Sequence, residues 1–219
     1  MNIGRAIRGY QRRIRWDHHR HESWEHCYEY FRKARSRGLA KDRENAALQL
    51  GFFLASWGMY RGSSFLLQHT YTIHRGAIDV LSKPRFGKLW DDDFGAGEDD
   101  ENLSGRVVEL LEALRETYRP FARAVKKGTP SDTLVTKIVL GTVGCLPACD
   151  EYFIYGFGRS GFPYSRANEA FVRRVLDFCR RHLSDLRAER ATIQKASGKR
   201  YPLMKLVDMA FSEIGYRDA

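Results

Sequence analysis

Apolar positions recur along this chain at the three-and-four spacing of a buried helix stripe, without the strict alternation of a half-buried strand. Trp24, Cys27, Tyr28 and Phe31 form one stripe. Val107, Leu110, Leu111 and Leu114 form another, with Ser104 near its start. From Ala46 to Met59 nearly every residue is apolar, which predicts a helix at the centre of the core. Ser63 is placed to cap a helix from Phe65 to about Leu81, ended by Pro84. Pro120 opens a short segment that Gly128 closes, and Ser131 or Asp132 then caps Leu134 to about Val143. Beyond a glycine-rich turn at Gly156, Gly158 and Gly161, a long helix runs from Arg166 to about Lys195 and stops at Gly198. Leu203, Leu206, Val207, Ala210 and Phe211 mark the last helix. The pattern predicts an all-α chain of about eight or nine helices. They form a single domain over residues 1–219, in one globule or two interlocked lobes with a cleft between them.

Composition narrows the class. The 219 residues are 43% hydrophobic and include 13 Phe, 11 Tyr and 4 Trp, enough for a packed core and unlike a disordered chain. The longest apolar stretch, Leu50 to Tyr60, is too short for a bilayer crossing, which takes about 20 residues. Arg5, Arg8, Arg12 and Arg13 stand where a signal sequence carries an apolar block, so no membrane or secretory role is expected. Cys27, Cys145, Cys149 and Cys179 are too few and too scattered for a disulfide framework. They read as buried small hydrophobes of a cytoplasmic protein, with no metal implied.

Charge points to a partner. The formal net charge is +10, from 37 Lys and Arg against 27 Asp and Glu. Residues 1–40 hold ten of the cations and four acids, and a second basic block runs from Arg159 to Lys205. Clustered Arg and Lys attract polyanions, and Arg adds bidentate bonds to phosphate. Nucleic acid is the expected partner, DNA ahead of RNA. In the basic block, Arg173, Arg174 and Arg181 form the expected binding face. Asp91, Asp92, Asp93, Glu98, Asp99, Asp100 and Glu101 crowd around Gly95 and Gly97, which predicts an exposed, mobile acidic loop over residues 91–102.

Two segments carry candidate chemistry. In the first, residues 56–64, a helix breaks at Gly58 and Gly62 and restarts at Ser63. This places Arg61, Ser63 and Ser64 at a helix N-terminus suited to phosphate. A plain helix–helix turn with Trp57 and Tyr60 in the core is the alternative. In the second, residues 136–153, an apolar helix ends at Gly141 and Gly144, Pro147 stiffens a loop, and Asp150 heads the next helix. This segment resembles the helix-hairpin-helix DNA glycosylases, in which an aspartate at the head of such a helix is catalytic. The resemblance implies a basic, all-α, bilobal, cofactor-free enzyme. Its aspartate stabilises the cation that develops at C1′ as an N-glycosidic bond breaks. The resemblance covers residues 136–153, the length of one helix and a turn and not of a domain. The family's glycine hairpin is replaced by Thr129, Pro130, Ser131, Asp132 and Thr133, and its Schiff-base lysine has no match, so lyase chemistry is not implied.

On this reading Asp150 is the catalytic residue, and Lys137, Arg61 and Arg159 anchor phosphate. Trp57, Tyr60, Tyr152, Tyr155 and Phe157 are candidates to stack an everted base. The alternatives are an N-cap role for Asp150 in a non-catalytic DNA- or RNA-binding module, and an all-helical ribonuclease of toxin type. The latter rests on Arg13 with His18 and Arg15 with His21, whose spacing fits general acid–base work beside a phosphate-steadying arginine.

Overall fold

A computed structural model of the chain describes residues 2–16, 20–97, 101–125 and 128–218. The side chains of Arg15, Trp16, Arg20, His21 and Glu101 are outside that description. Among the described residues every regular element is helical. The α-helices are α1 (Ile3–Trp16), α2 (Arg20–Arg37), α3 (Arg43–Ser56), α4 (Arg75–Leu81), α5 (Glu101–Ala124), α6 (Asp132–Thr142), α7 (Glu151–Arg159), α8 (Glu169–Arg181), α9 (Leu183–Ser197) and α10 (Leu203–Asp218), joined in places by short 3-10 turns.

Two helices are buried along most of their length. α10 is inaccessible from Leu203 to Glu213 and packs against α1, α7, α8 and α9. α6 is inaccessible from Leu134 to Thr142 and packs against α2, α3 and α5. Their apolar residues belong to one continuous core. The expected central helix, α3, is buried on one side only, by Ala46, Ala47, Leu50, Phe53 and Leu54. Leu48 and Phe52 remain 49% and 60% exposed on the other.

Several boundaries differ from expectation for local reasons. The predicted 166–195 helix breaks at His182, because α8 packs on α5 and α9 on α1 while both stay against α10. Extended backbone at His69 and Thr70 interrupts the predicted 65–81 helix, leaving α4 behind two 3-10 turns. It is Ser64 that caps the first of these turns, accepting from Leu66 N at 3.3 Å. Pro120 lies inside α5, carried through by Tyr118 and Ala122, which are fully buried on either side of it. Ser131 does cap α6, accepting from Leu134 N at 3.2 Å, and left-handed Gly198 closes α9.

Gly156 and Gly158 lie within α7 rather than in a turn. A Cβ on Gly156 would stand 2.0 Å from the Phe211 carbonyl oxygen, and one on Gly215 would stand 1.9 Å from that of Tyr152. The two glycines therefore let α7 and α10 touch backbone to backbone.

The acidic segment is also unlike its expectation. Tyr28 Oη donates to Asp92 Oδ1 at 2.6 Å, and Arg200 Nε to Asp92 Oδ2 at 3.0 Å. Arg190 and Arg200 donate to the two oxygens of Asp93, at 2.7 and 2.9 Å. With Phe94 buried, the segment from Asp91 to Ala96 is pinned to α2, α9 and the 200–203 turn. Residues 98–100 of the predicted loop lie outside the described residues, and its last two, 101 and 102, already belong to α5.

Candidate functional site

Between Val143 and Cys149 the chain leaves α6 in a fully buried turn whose last two residues are bonded by side chains from two helices. Thr136 Oγ1 accepts from Cys149 N at 2.8 Å, and Thr133 Oγ1 donates to Cys149 O at 2.8 Å. Asp208 Oδ1, from α10, accepts from Ala148 N at 3.1 Å. The peptide before Asp150 is thus clamped on both faces, and the aspartate emerges as the N-cap of α7. Its Oδ1 accepts from Phe153 N at 3.1 Å, while Oδ2 stands 3.9 Å from Lys137 Nζ, beyond hydrogen-bond length.

The Asp150 side chain keeps 25% of its surface, and it opens into a cleft of about 640 Å³ where the α6 and α10 groups of helices meet. This lies within the size range of small-molecule sites. Trp57 lines the cleft, its Nε1 donating to Ser23 Oγ at 3.1 Å. Lys137 Nζ donates to Trp57 O at 3.2 Å. At the floor, Lys205 and Asp208 form a buried pair at 2.8 Å, and the Lys205 ammonium lies over Trp24, Tyr10 and Trp57 at 4.9, 5.4 and 5.4 Å. An ammonium in such a cage is held by ring quadrupoles as well as by its carboxylate.

These charges tune one another. Burial raises the Asp150 carboxyl above its ordinary value and the Asp208 carboxylate raises it further, against Lys137 and Lys205, which pull it down. For Lys205 burial favours the neutral form, but Asp208 and Tyr10 together more than reverse this and keep the ammonium charged. The four cysteines are buried free thiols, each pushed upward by burial.

Arg13 and Arg61 also line the cleft. Arg61 reaches a second recess of about 340 Å³, lined by Ser63, Ser64, Thr129 and Thr133, which shares Gly58, Met59, Arg61 and Thr133 with the first. No family model, curated protein or solved structure matches the chain. What the site can do therefore rests on its own geometry.

Asp150, Lys137, Arg61, Trp57 and Tyr152 come together in the cleft, and Ser63 and Ser64 sit in the adjoining recess. The remaining candidates lie elsewhere. Tyr60 Oη bonds His74 Nε2 at 2.6 Å, and His74 Nδ1 bonds Tyr118 Oη at 2.7 Å, a chain within the core where burial lowers His74 to about 3. Phe157 is sealed among Phe153, Phe162, Phe171 and Phe211. Tyr155 is 43% exposed and donates to Asp218 O at 3.3 Å. Arg159 faces Asp218 at 3.5 Å. Arg173, Arg174 and Arg181 lie along α8, on Glu169, on the Pro163 carbonyl and on the Asp177 carbonyl, and none lines the cleft. His18 and the side chains of Arg15 and His21 lie outside the described residues. Arg13 does line the cleft, and it is held there by Glu213 at 3.1 Å.

Sequence reasoning missed Lys205 and Asp208. Their signal was present: two charges one helical turn apart inside the apolar run from Pro202 to Phe211. Such a pair in a buried stretch marks a site that must be satisfied internally.

Proposed function

We propose that the protein binds nucleic acid and admits one everted nucleotide into the Asp150 cleft, where it hydrolyses the N-glycosidic bond. The observation that carries this reading is Asp150 Oδ2, turned to a cleft lined by Trp57 and by cations on several sides. The base lies along the Trp57 ring, and Arg61 with the hydroxyls of the adjoining recess takes phosphate. As the C1′–N bond breaks, its electron pair leaves with the base and positive charge grows on the sugar. Ionised Asp150 stabilises that charge. Water then adds its oxygen to C1′, and its proton accompanies the departing base, giving free base and an abasic site. Lys137 holds Asp150 toward its ionised form without bonding it directly.

Asp150→Asn is a clean test because asparagine caps a helix as well as aspartate does. Duplexes carrying varied base modifications are incubated with protein, and abasic sites are cleaved with alkali. Base release is expected to fall by about a hundredfold or more with DNA affinity unchanged. Equal product from wild type and Asp150→Asn would remove the assigned role.

A second reading, binding without catalysis, is favoured by the α8 arginines lying outside the cleft. It expects salt-sensitive binding that fails on charge reversal at Arg173, Arg174 and Arg181 and ignores Asp150→Asn.

A further inference from the structure

Outside the cleft, the seam of α7 and α10 presents three tyrosine rings to solvent. Tyr152 and Tyr155 are each 43% exposed and Tyr216 is 47% exposed. Tyr152 and Tyr155 are surface neighbours one helical turn apart. Tyr152 and Tyr216 meet across the seam edge to face, with ring centres 5.5 Å apart and planes at 69°. The Arg13 guanidinium lies over the Tyr216 ring at 4.1 Å. Since Arg13 and Tyr152 also line the cleft, this aromatic row continues directly out of its mouth.

The charge beside the row is of both signs. Arg217 and Arg159 flank it with side chains 43% and 62% exposed. Glu213 bonds both Arg13 and Arg217 from beneath, at 5% exposure, so its charge is covered. Of the exposed acids, Glu151 sits at the cleft mouth before Tyr152, and Asp218 faces Arg159.

Exposed rings interleaved with guanidinium groups suit a flat, apolar-faced, anionic chain. In a duplex each base face is already covered by its neighbours, so these rings can stack only on unpaired bases. We infer that the α7–α10 seam binds single-stranded nucleic acid, its bases stacking on Tyr152 and Tyr216 and its phosphates meeting Arg13 and Arg217. The inference rests on the proposed reading that the cleft takes a nucleotide. The strand leaving that nucleotide then runs over the seam, and the substrate is a single strand or a locally opened duplex.

The test is fluorescence anisotropy of the full chain with a short labelled oligothymidylate, and with a blunt duplex of equal length. The wild type is expected to bind the single strand about tenfold more tightly than the duplex. Tyr152→Ala and Tyr216→Ala each weaken single-strand binding by about fivefold or more. Tyr152→Phe and Tyr216→Phe retain it, because stacking needs the ring and not the hydroxyl. Both tyrosines are surface residues, and a native circular dichroism spectrum for each variant separates lost stacking from lost fold. Wild-type affinity in both alanine variants, or a wild-type preference for duplex, would overturn the inference. Asp150→Asn distinguishes the two proposals. If it leaves base release intact while the alanine variants lose the strand, the cleft reading fails and the seam stands. If it abolishes base release while the alanine variants bind normally, the seam fails and the cleft stands.

Discussion

Asp150 commits one carboxylate oxygen to the start of α7 and leaves the other beside Lys137 in the cleft. Its titration follows from the groups that face it: Lys137 from α6, and Asp208 and Lys205 from α10. Burial and Asp208 raise it, so the acidic limb of base release is expected above the ordinary aspartate value of about 4. Asp208→Asn keeps an acceptor for Ala148 N but removes the negative neighbour, whose pull on Asp150 exceeds that of Lys205. Its loss favours the carboxylate even where Lys205 gives up its proton as well, so a pH–rate profile of this variant should show the limb moved to lower pH. An unmoved limb would mean that another group sets it. The same shift makes ionised Asp150 a cost to the fold, absent at low pH and growing as pH rises through its raised value. The proline-to-aspartate turn was legible in the sequence because its geometry is local. The Asp208 bond to Ala148 was not, because it joins residues 60 apart in the chain through what reads as a plain apolar helix.

At the scale of elements, helix stripes were readable and helix crossings were not. The α6 cap at Ser131 and the stop at Gly198 depend on neighbours in sequence, and both lie where the pattern placed them. The glycines of α7 look like turn residues because glycine weakens a helix. The purpose of Gly156 is visible only when α10 lies across it. Gly156→Ala and Gly215→Ala each force a methyl group to within 2.0 Å of a main-chain oxygen or closer. The helices must separate, at an expected loss of about 3 kcal/mol or more in urea unfolding. At Gly158, in the same helix, an added Cβ would meet nothing within 4 Å. Gly158→Ala should therefore be neutral or stabilise by up to about 1 kcal/mol. Equal effects at Gly156 and Gly158 would show that helix propensity, not the crossing, governs α7. Because Asp150 caps this helix, a displaced α7 also misplaces the carboxylate.

Across the whole molecule, distant segments are tied by charge as well as by apolar packing. Asp93 receives Arg190 from α9 and Arg200 from the turn before α10. Burial raises its carboxyl, but the two arginines, Arg190 first, more than reverse this and hold it below the ordinary value. Its contribution is thus present above the ordinary carboxylate value and lost as pH falls through the lowered one. Asp93→Asn is expected to cost about 1–2 kcal/mol at neutral pH, since the side chain is partly solvated. The difference from wild type should vanish in strong acid, as followed by thermal melts across pH, and a gap that persists there would rule out the ion pair as its source. The sequence reading of this stretch as a mobile loop counted its acids without the arginines that meet them, which arrive from about a hundred residues away. The four sealed thiols have a last consequence. Alkylating reagents need a thiolate in water, and here none can form until the fold opens. Cys149 immediately precedes Asp150, so its labelling rate is a clock for how often the turn that presents Asp150 comes undone.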